Sequence, residues 1–111
     1  MGKVTAMTKW RTEDTDAFFR SILSLKTLEE CYDYFGDVCT ATEVREMSKR
    51  LKVARLLREG MSYNAVNQMT GVSTATISRV SSCLTYGNQG YDLVLERLGE
   101  KRDDRQDTSE A

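Results

Sequence analysis

The 111-residue sequence contains no histidine and no proline. Without histidine, a histidine general base, a Cys–His catalytic pair and a histidine metal site are all excluded. Without proline, every residue has a backbone N–H, so no helix is interrupted by a missing hydrogen-bond donor. We therefore expect a mainly helical protein that is not an enzyme, needs no cofactor and binds no metal.

Cysteines are few, and long apolar runs are missing. The three cysteines are odd in number and lack metal-site spacing, so we expect reduced, partly buried thiols in a cytoplasmic protein. No run of 18 apolar residues occurs, and no signal peptide is recognisable. The sequence therefore predicts neither a transmembrane helix nor a membrane partner. The cysteines are Cys31, Cys39 and Cys83.

Positive charge is concentrated in one part of a chain whose net charge is −1. Residues 44–90 hold seven basic and two acidic residues, whereas the rest of the chain holds nine basic and fifteen acidic residues. Phosphate binding depends on local charge, so the weakly acidic whole does not exclude a nucleic-acid partner. The basic residues between 45 and 58 are compatible with a solvated helix face. Their position before the next motif favours a role facing phosphates.

Residues 62–84 have the pattern of a helix-turn-helix. Ser62 can cap a first short helix, because its hydroxyl can accept from the free N–H groups of the first turn. Gly71 can end that helix in a left-handed conformation, and Ser73 can cap the next helix. The segment therefore predicts two short helices joined by a tight turn.

The first helix of this motif departs from the usual pattern at two positions. Asn67 stands where a small residue is usual, and Thr70 stands where an apolar residue is usual. Val66 and Met69 form the short apolar stripe that we expect to be buried.

The second helix of the motif has one apolar face and one small, polar face without acids. Ile77, Val80 and Leu84 recur at helical spacing and predict the buried face. A small polar face lets a helix sit deep in a major groove and bond to base edges. A purely structural helical hairpin would give the same apolar spacing. The outer face consists of Thr74, Ala75, Thr76, Ser78, Arg79 and Ser82.

Apolar periodicity predicts four further helices, so we expect an all-α fold with six helices. Capping boxes begin two of them at Thr27 and Thr40. We expect a single helical DNA-binding domain at 14–98, a flexible N-terminus at 1–13 and a disordered, charged tail at 99–111. The four helices are predicted at 14–25, 27–36, 40–59 and 91–98, the third with an apolar stripe of Val44, Met47, Leu51, Ala54 and Leu57.

Aromatic residues are concentrated in the first two predicted helices. A small core cannot easily bury all of them within one chain, which favours a core shared by two copies. A dimer also suits a helix-turn-helix that reads a palindrome. The alternative is that they pack on the long helix of the same chain. The aromatic residues are Phe18, Phe19, Tyr32, Tyr34 and Phe35.

The sequence from Thr40 to Leu84 resembles the tryptophan repressor family. The match is densest in LLREGMS at 56–62 and in ATISR at 75–79. It extends over about 14–98, the first two helices matching in pattern only, and it is strongest to small tryptophan-repressor-like proteins without an obvious effector. The resemblance implies an intertwined helical dimer with one helix-turn-helix in each subunit.

The same resemblance implies DNA contacts from both helices of the motif. Asn64 and Asn67 stand where the repressor has basic residues, which implies weaker phosphate affinity and a different target sequence. Neutral hydroxyl contacts fit indirect or water-mediated reading of the duplex. The implied DNA-binding residues are Tyr63, Asn64, Asn67, Thr74, Ala75, Thr76, Ser78 and Arg79.

An effector site is implied by Arg79 and Lys49. Arg79 matches an arginine that holds the carboxylate of the corepressor, and a guanidinium suits that task through its bidentate geometry. Lys49 matches a second basic position. Val80 replaces a glycine that makes room for the indole, so we do not expect tryptophan as the ligand; another amino acid, a smaller effector or no effector remain open.

These observations predict a homodimeric, sequence-specific transcriptional regulator, a repressor, that binds a palindromic operator in double-stranded DNA. The alternative is a replication-associated or protein-interaction module with the same helical fold and no operator of its own. Replication initiators carry a similar helical domain. Selection of a palindrome from random DNA distinguishes the two.

Overall fold

The computed structural model describes the backbone of residues 8–109 and the side chains of residues 9–99. These residues form a short 3₁₀ turn and six α-helices, and they contain no strand, which confirms the predicted all-α fold. No helix among them is long and apolar enough to cross a membrane. Residues 1–7 of the N-terminus predicted as flexible at 1–13, and residues 110–111 of the tail predicted at 99–111, lie outside the described residues. The elements are the turn Thr8–Trp10 and helices α1 (Glu13–Leu23), α2 (Leu28–Val38), α3 (Ala41–Arg58), α4 (Tyr63–Thr70), α5 (Thr74–Tyr86) and α6 (Gly90–Ser109).

The chain divides into two compact units, residues 1–46 and 47–111. The division falls within α3. From residue 9 to residue 52 no described side chain is buried, and the first buried residue is Val53. The first unit therefore has no fully enclosed core of its own.

In the first unit, α1 and α2 are held by caps, a hydroxyl bridge and a row of aromatic rings. Thr12 and Thr15 form a reciprocal capping box, with N···Oγ1 distances of 3.1 and 2.7 Å, which begins α1 one residue earlier than predicted. The Ser21 Oγ lies 2.6 Å from the Tyr34 hydroxyl and joins the two helices. Successive ring centroids 5.7–6.3 Å apart link Trp10, Phe19, Phe18, Tyr34 and Phe35.

The two predicted capping boxes differ in the structure. At Thr40 the box is complete, because Glu43 N–H donates to the Thr40 Oγ1 and Thr40 N–H donates to the Glu43 carboxylate. At Thr27 the hydroxyl accepts from Glu30 N–H, but the Glu30 carboxylate accepts from Lys26 N–H, one residue before the cap. The helix that Thr27 caps continues through position 36 to Val38, beyond its predicted end.

The second unit contains the hydrophobic core, to which α3, α4 and α5 all contribute. Its α3 members are Val53, Ala54 and Leu56. Of the predicted α3 stripe, Ala54 is buried and Leu57 packs against the core, whereas Met47 is exposed. The buried face of α3 is set by its contacts with the helices that follow. Apolar spacing within α3 alone does not predict those contacts. The core consists of Val53, Ala54, Leu56, Val66, Val72, Ile77 and Val80, with Leu57, Met61, Leu84, Tyr91 and Leu95 packed against it.

Helix α6 is longer than the sequence predicted. It begins at Gly90 and continues to Ser109, through most of the segment for which a disordered tail was predicted. The extension contains Glu, Lys, Arg and Gln, which have high intrinsic helix propensity, and no proline stops it. Two ion pairs join its first turns to the end of α3: Arg58 Nε lies 3.3 Å from Asp92, and Arg58 Nη2 lies 3.9 Å from Glu96.

Candidate nucleic-acid interface

Helices α4 and α5 form a helix-turn-helix whose ends are capped as predicted. The Ser62 Oγ accepts from Ala65 N–H at 3.1 Å, and the Ser73 Oγ accepts from Thr76 N–H at 3.2 Å. Gly71 ends α4 with φ of +75°, a left-handed conformation that glycine adopts without steric cost. These three residues confirm the predicted boundaries of the motif.

The motif rests on the core through one face of each helix. Val66 of α4 and Ile77 and Val80 of α5 are fully buried, as predicted. Met69 is 59% exposed, so its predicted place in the buried stripe of α4 was wrong. An eight-residue helix of little more than two turns has room for a narrow buried face, and Val66 occupies it.

The turn between the helices is held by side chains at both positions where the sequence departs from the usual motif. The Asn67 Nδ2 donates to the Val72 carbonyl oxygen at 2.7 Å. The Thr70 Oγ1 accepts from Val72 N–H at 3.1 Å and donates to the Val66 carbonyl oxygen at 2.7 Å. Asn67, a predicted DNA contact, is half-buried and has its amide engaged in the turn.

The predicted contact residues of α5 divide by exposure. Thr76 is half-buried, and its Oγ1 accepts from the Ser73 hydroxyl at 3.2 Å, so it belongs to the cap of the helix. The others point away from the core, and the exposed face contains no acid. The exposed contact residues of α5 are Thr74, Ala75, Ser78 and Arg79, and those of α4 are Tyr63 and Asn64.

The basic residues of α3 are partly committed to ion pairs. Arg58 faces two carboxylates of α6, and the Arg55 Nη1 lies 3.3 Å from the Glu59 carboxylate. The positive electrostatic potential of residues 44–90 is therefore weaker in the folded chain than the number of basic residues suggests. Sequence reasoning missed these pairs, although the Arg55–Glu59 spacing of four residues is a usable signal.

Comparison with known proteins agrees with this geometry. The profile of the family described as Trp repressor protein matches residues 13–99. The chain belongs to the Trp repressor family. It is similar to YerC of Bacillus subtilis strain 168, described as uncharacterized, with 53% identity over 92 residues, which is 83% of this chain and 88% of YerC.

Two solved structures of Trp repressor-like proteins have the same fold. A TrpR-like protein from Eubacterium eligens is 53% identical, with a TM-score of 0.79 over 82% of this chain and 94% of that one. A proposed Trp repressor from Staphylococcus aureus is 43% identical, with a TM-score of 0.79 over 82% and 91% of the two chains.

In this Trp repressor family member, the residues implied for an effector, Arg79 and Lys49, do not line the cavity between α5 and α6. An open cavity of about 500 Å³ lies where α5 meets α6. Burial and the neighbouring Cys83 raise the pKa of Tyr91 in its wall, while Arg50 and Arg79 act in the opposite direction. The Arg79 guanidinium is thus within electrostatic range of this cavity. The lining residues are Leu51, Cys83, Gly87, Asn88, Gly90, Tyr91 and Val94.

Val80 lies in the core and not on the surface of that cavity. Its side chain is 1% exposed and belongs to the cluster that contains Val53, Val66 and Ile77. The β-branched side chain therefore fills protein interior at the position where the family resemblance implied space for an indole.

The cysteines and acids of the described residues provide no metal-binding group. All three thiols are free. Cys31 and Cys39 are half-buried, as predicted, but Cys83 is exposed at the edge of the α5–α6 cavity.

Proposed function

We propose that this protein is a homodimeric, sequence-specific transcriptional regulator of the cytoplasm, a repressor that binds a palindromic operator in double-stranded DNA. The observation that carries the proposal is the exposed, acid-free face of α5, seated on the core by Ile77 and Val80. Membership of the Trp repressor family supports it, because the helix-turn-helix of that family places its second helix in the major groove.

The exposed residues of the motif suit an interface in which bases are read by short polar groups. The Ser78 and Thr74 hydroxyls can each donate and accept, directly or through water. Arg79 adds the only charge on this face of α5, and Tyr63 and Asn64 at the start of α4 can bond to phosphate oxygens. Thr76 supports the interface through the cap of α5.

A homodimer explains the exposed apolar residues of the first unit. Phe19 and Leu23 on α1, and Leu28 and Tyr32 on α2, are each spaced four residues apart, so each pair shares a helix face. All four are exposed, Leu23 to 81%. A hollow of about 320 Å³ lined in part by Trp10, Phe19 and Leu23 lies on the same unit. A second copy would cover these side chains and give the two recognition helices a spacing of roughly 34 Å.

The second candidate is a replication-associated or protein-interaction module with this fold. The observation that favours it is the modest positive potential, since the net charge is −1 and Arg58 faces two carboxylates. Such a module would select no palindrome from a random duplex library, whereas a repressor would return one two-fold symmetric sequence.

Ser78→Ala is expected to weaken binding to the selected palindrome by about 1 kcal/mol or more per half-site and to change the preferred sequence. The reason is that residues near the start of a recognition helix contact base edges. Fluorescence anisotropy measures the affinity for the palindrome and for a scrambled duplex, and the ratio of the two affinities reports the sequence preference. Ser82→Ala, one turn further along α5, is the matched control and should bind like the wild type. Equal losses on both duplexes would contradict a role in sequence reading.

L-tryptophan is expected to give no saturable heat in calorimetry at millimolar concentration. Val80 occupies interior space, and overpacking such a site with extra methyl groups costs about 1–3 kcal/mol, which weakens a micromolar ligand by roughly ten- to a hundredfold. A micromolar isotherm would overturn this expectation and would indicate that Arg79 and Lys49 hold the carboxylate of an indole-bearing ligand.

A further inference from the structure

Within the turn at residues 71–73, Val72 is the one residue whose N–H and carbonyl oxygen both bond to side chains of α4. Thr70 accepts from its N–H, and Asn67 donates to its carbonyl oxygen. The Val72 side chain is itself buried in the core. The backbone N–H and carbonyl oxygen of such a residue need hydrogen-bond partners, because an unpaired buried donor or acceptor costs free energy.

Val72 lies directly before the cap of the recognition helix α5. Only residues 71–73 join α4 to α5, and Ser73 caps α5 immediately after Val72. Thr70 is tied in turn to the Val66 carbonyl oxygen, so the bonds run from the buried centre of α4 to the first residue before the cap. A shift at Val72 would therefore move the start of α5, where Thr74 and Ser78 are exposed.

We propose that Asn67 and Thr70 are positioning residues that fix the start of the recognition helix by bonding the N–H and the carbonyl oxygen of Val72. Asn67 then affects DNA binding through this bond and not by contacting the duplex. This inference rests on the proposed function for its effect on DNA. It also explains why a half-buried amide and a hydroxyl occupy positions where the usual motif has a small and an apolar residue.

Amide hydrogen exchange of the free protein tests the bond between Thr70 and the Val72 N–H without DNA. Thr70→Val keeps the shape of the side chain but removes the acceptor, so the Val72 amide should exchange about tenfold faster. Thr70→Ser keeps the hydroxyl and should exchange like the wild type. Gln68→Ala, an exposed change on the same helix, should leave the Val72 amide unchanged. An unchanged rate in Thr70→Val would overturn the proposal.

DNA binding tests the positioning role. Asn67→Ala and Thr70→Val should each lower affinity for the selected palindrome roughly tenfold and leave affinity for a scrambled duplex within about twofold. Asn64→Ala, a change at an exposed contact position, should lower both. The double variant should lose less than the product of the single losses, because both side chains hold the backbone of one residue, Val72.

The outcomes separate this proposal from the proposed function. Equal losses on both duplexes for Asn67→Ala would make Asn67 a direct phosphate contact and overturn the inference. A wild-type protein that does not distinguish the palindrome from the scrambled duplex would overturn the proposed function, and the positioning role with it. The exchange rate of the Val72 amide would still report whether Thr70 bonds to it.

Discussion

Leu23→Glu is expected to convert the protein from a dimer to a monomer. Leu23 ends α1 and is 81% exposed within its own chain, so the substitution removes no contact of the core. In the proposed dimer the same position is covered, and an unpaired carboxylate there costs several kcal/mol because it loses its water. The dimer dissociation constant should rise by more than about a hundredfold. Sedimentation velocity across micromolar concentrations measures the change.

A matched substitution on the other unit separates this effect from added charge alone. Met69→Glu places the same group at another exposed apolar residue, on α4, and should remain dimeric. Circular dichroism should give both variants the helix content of the wild type. An unchanged dimerisation constant for Leu23→Glu would remove α1 from the interface.

Val80→Gly is expected to lower the free energy of unfolding by about 2.5–4 kcal/mol. Valine burial contributes about 1.5–3 kcal/mol, and a glycine within a helix costs about 1 kcal/mol more. Val80 is 1% exposed within α5, so both terms apply. Such a loss is a large fraction of the stability of a small domain. Urea denaturation followed by circular dichroism measures it.

The control for that experiment is Ser82→Gly, an exposed position on the same helix. It carries the helical glycine cost without the loss of core packing, so it should cost less than about 1 kcal/mol. Equal destabilisation of the two variants would contradict the place of Val80 in the core. The comparison also bears on ligand design, because a cavity made at position 80 must be assayed on protein shown to be folded.

Features fixed by neighbouring residues could be predicted from the sequence. The caps at Ser62, Ser73 and Thr40 and the turn at Gly71 depend on bonds spanning two or three residues, and all four occur as predicted. The buried face of α5 was predicted for the same reason. Ile77 and Val80 repeat at helical spacing within one short helix, and nothing else competes for that face.

Features set by tertiary contacts could not be read from local patterns. The buried face of α3 is chosen by helices that follow it, so Met47 is exposed while Val53 is buried. Met69 fits an apolar stripe by spacing alone, yet α4 is too short to bury it. Asn67 matches a DNA-contacting position of the family, but its bond to Val72 depends on how the chain folds back after Gly71.

The lack of any buried side chain between residues 9 and 52 has a thermodynamic consequence. In the proposed dimer, side chains that are enclosed only when two copies meet stabilise the pair and not an isolated chain, so stability is coupled to association. The midpoint of unfolding then rises with protein concentration. In a cell, the amount of protein made would then set how strongly the folded chains are stabilised, before any effector or operator is bound.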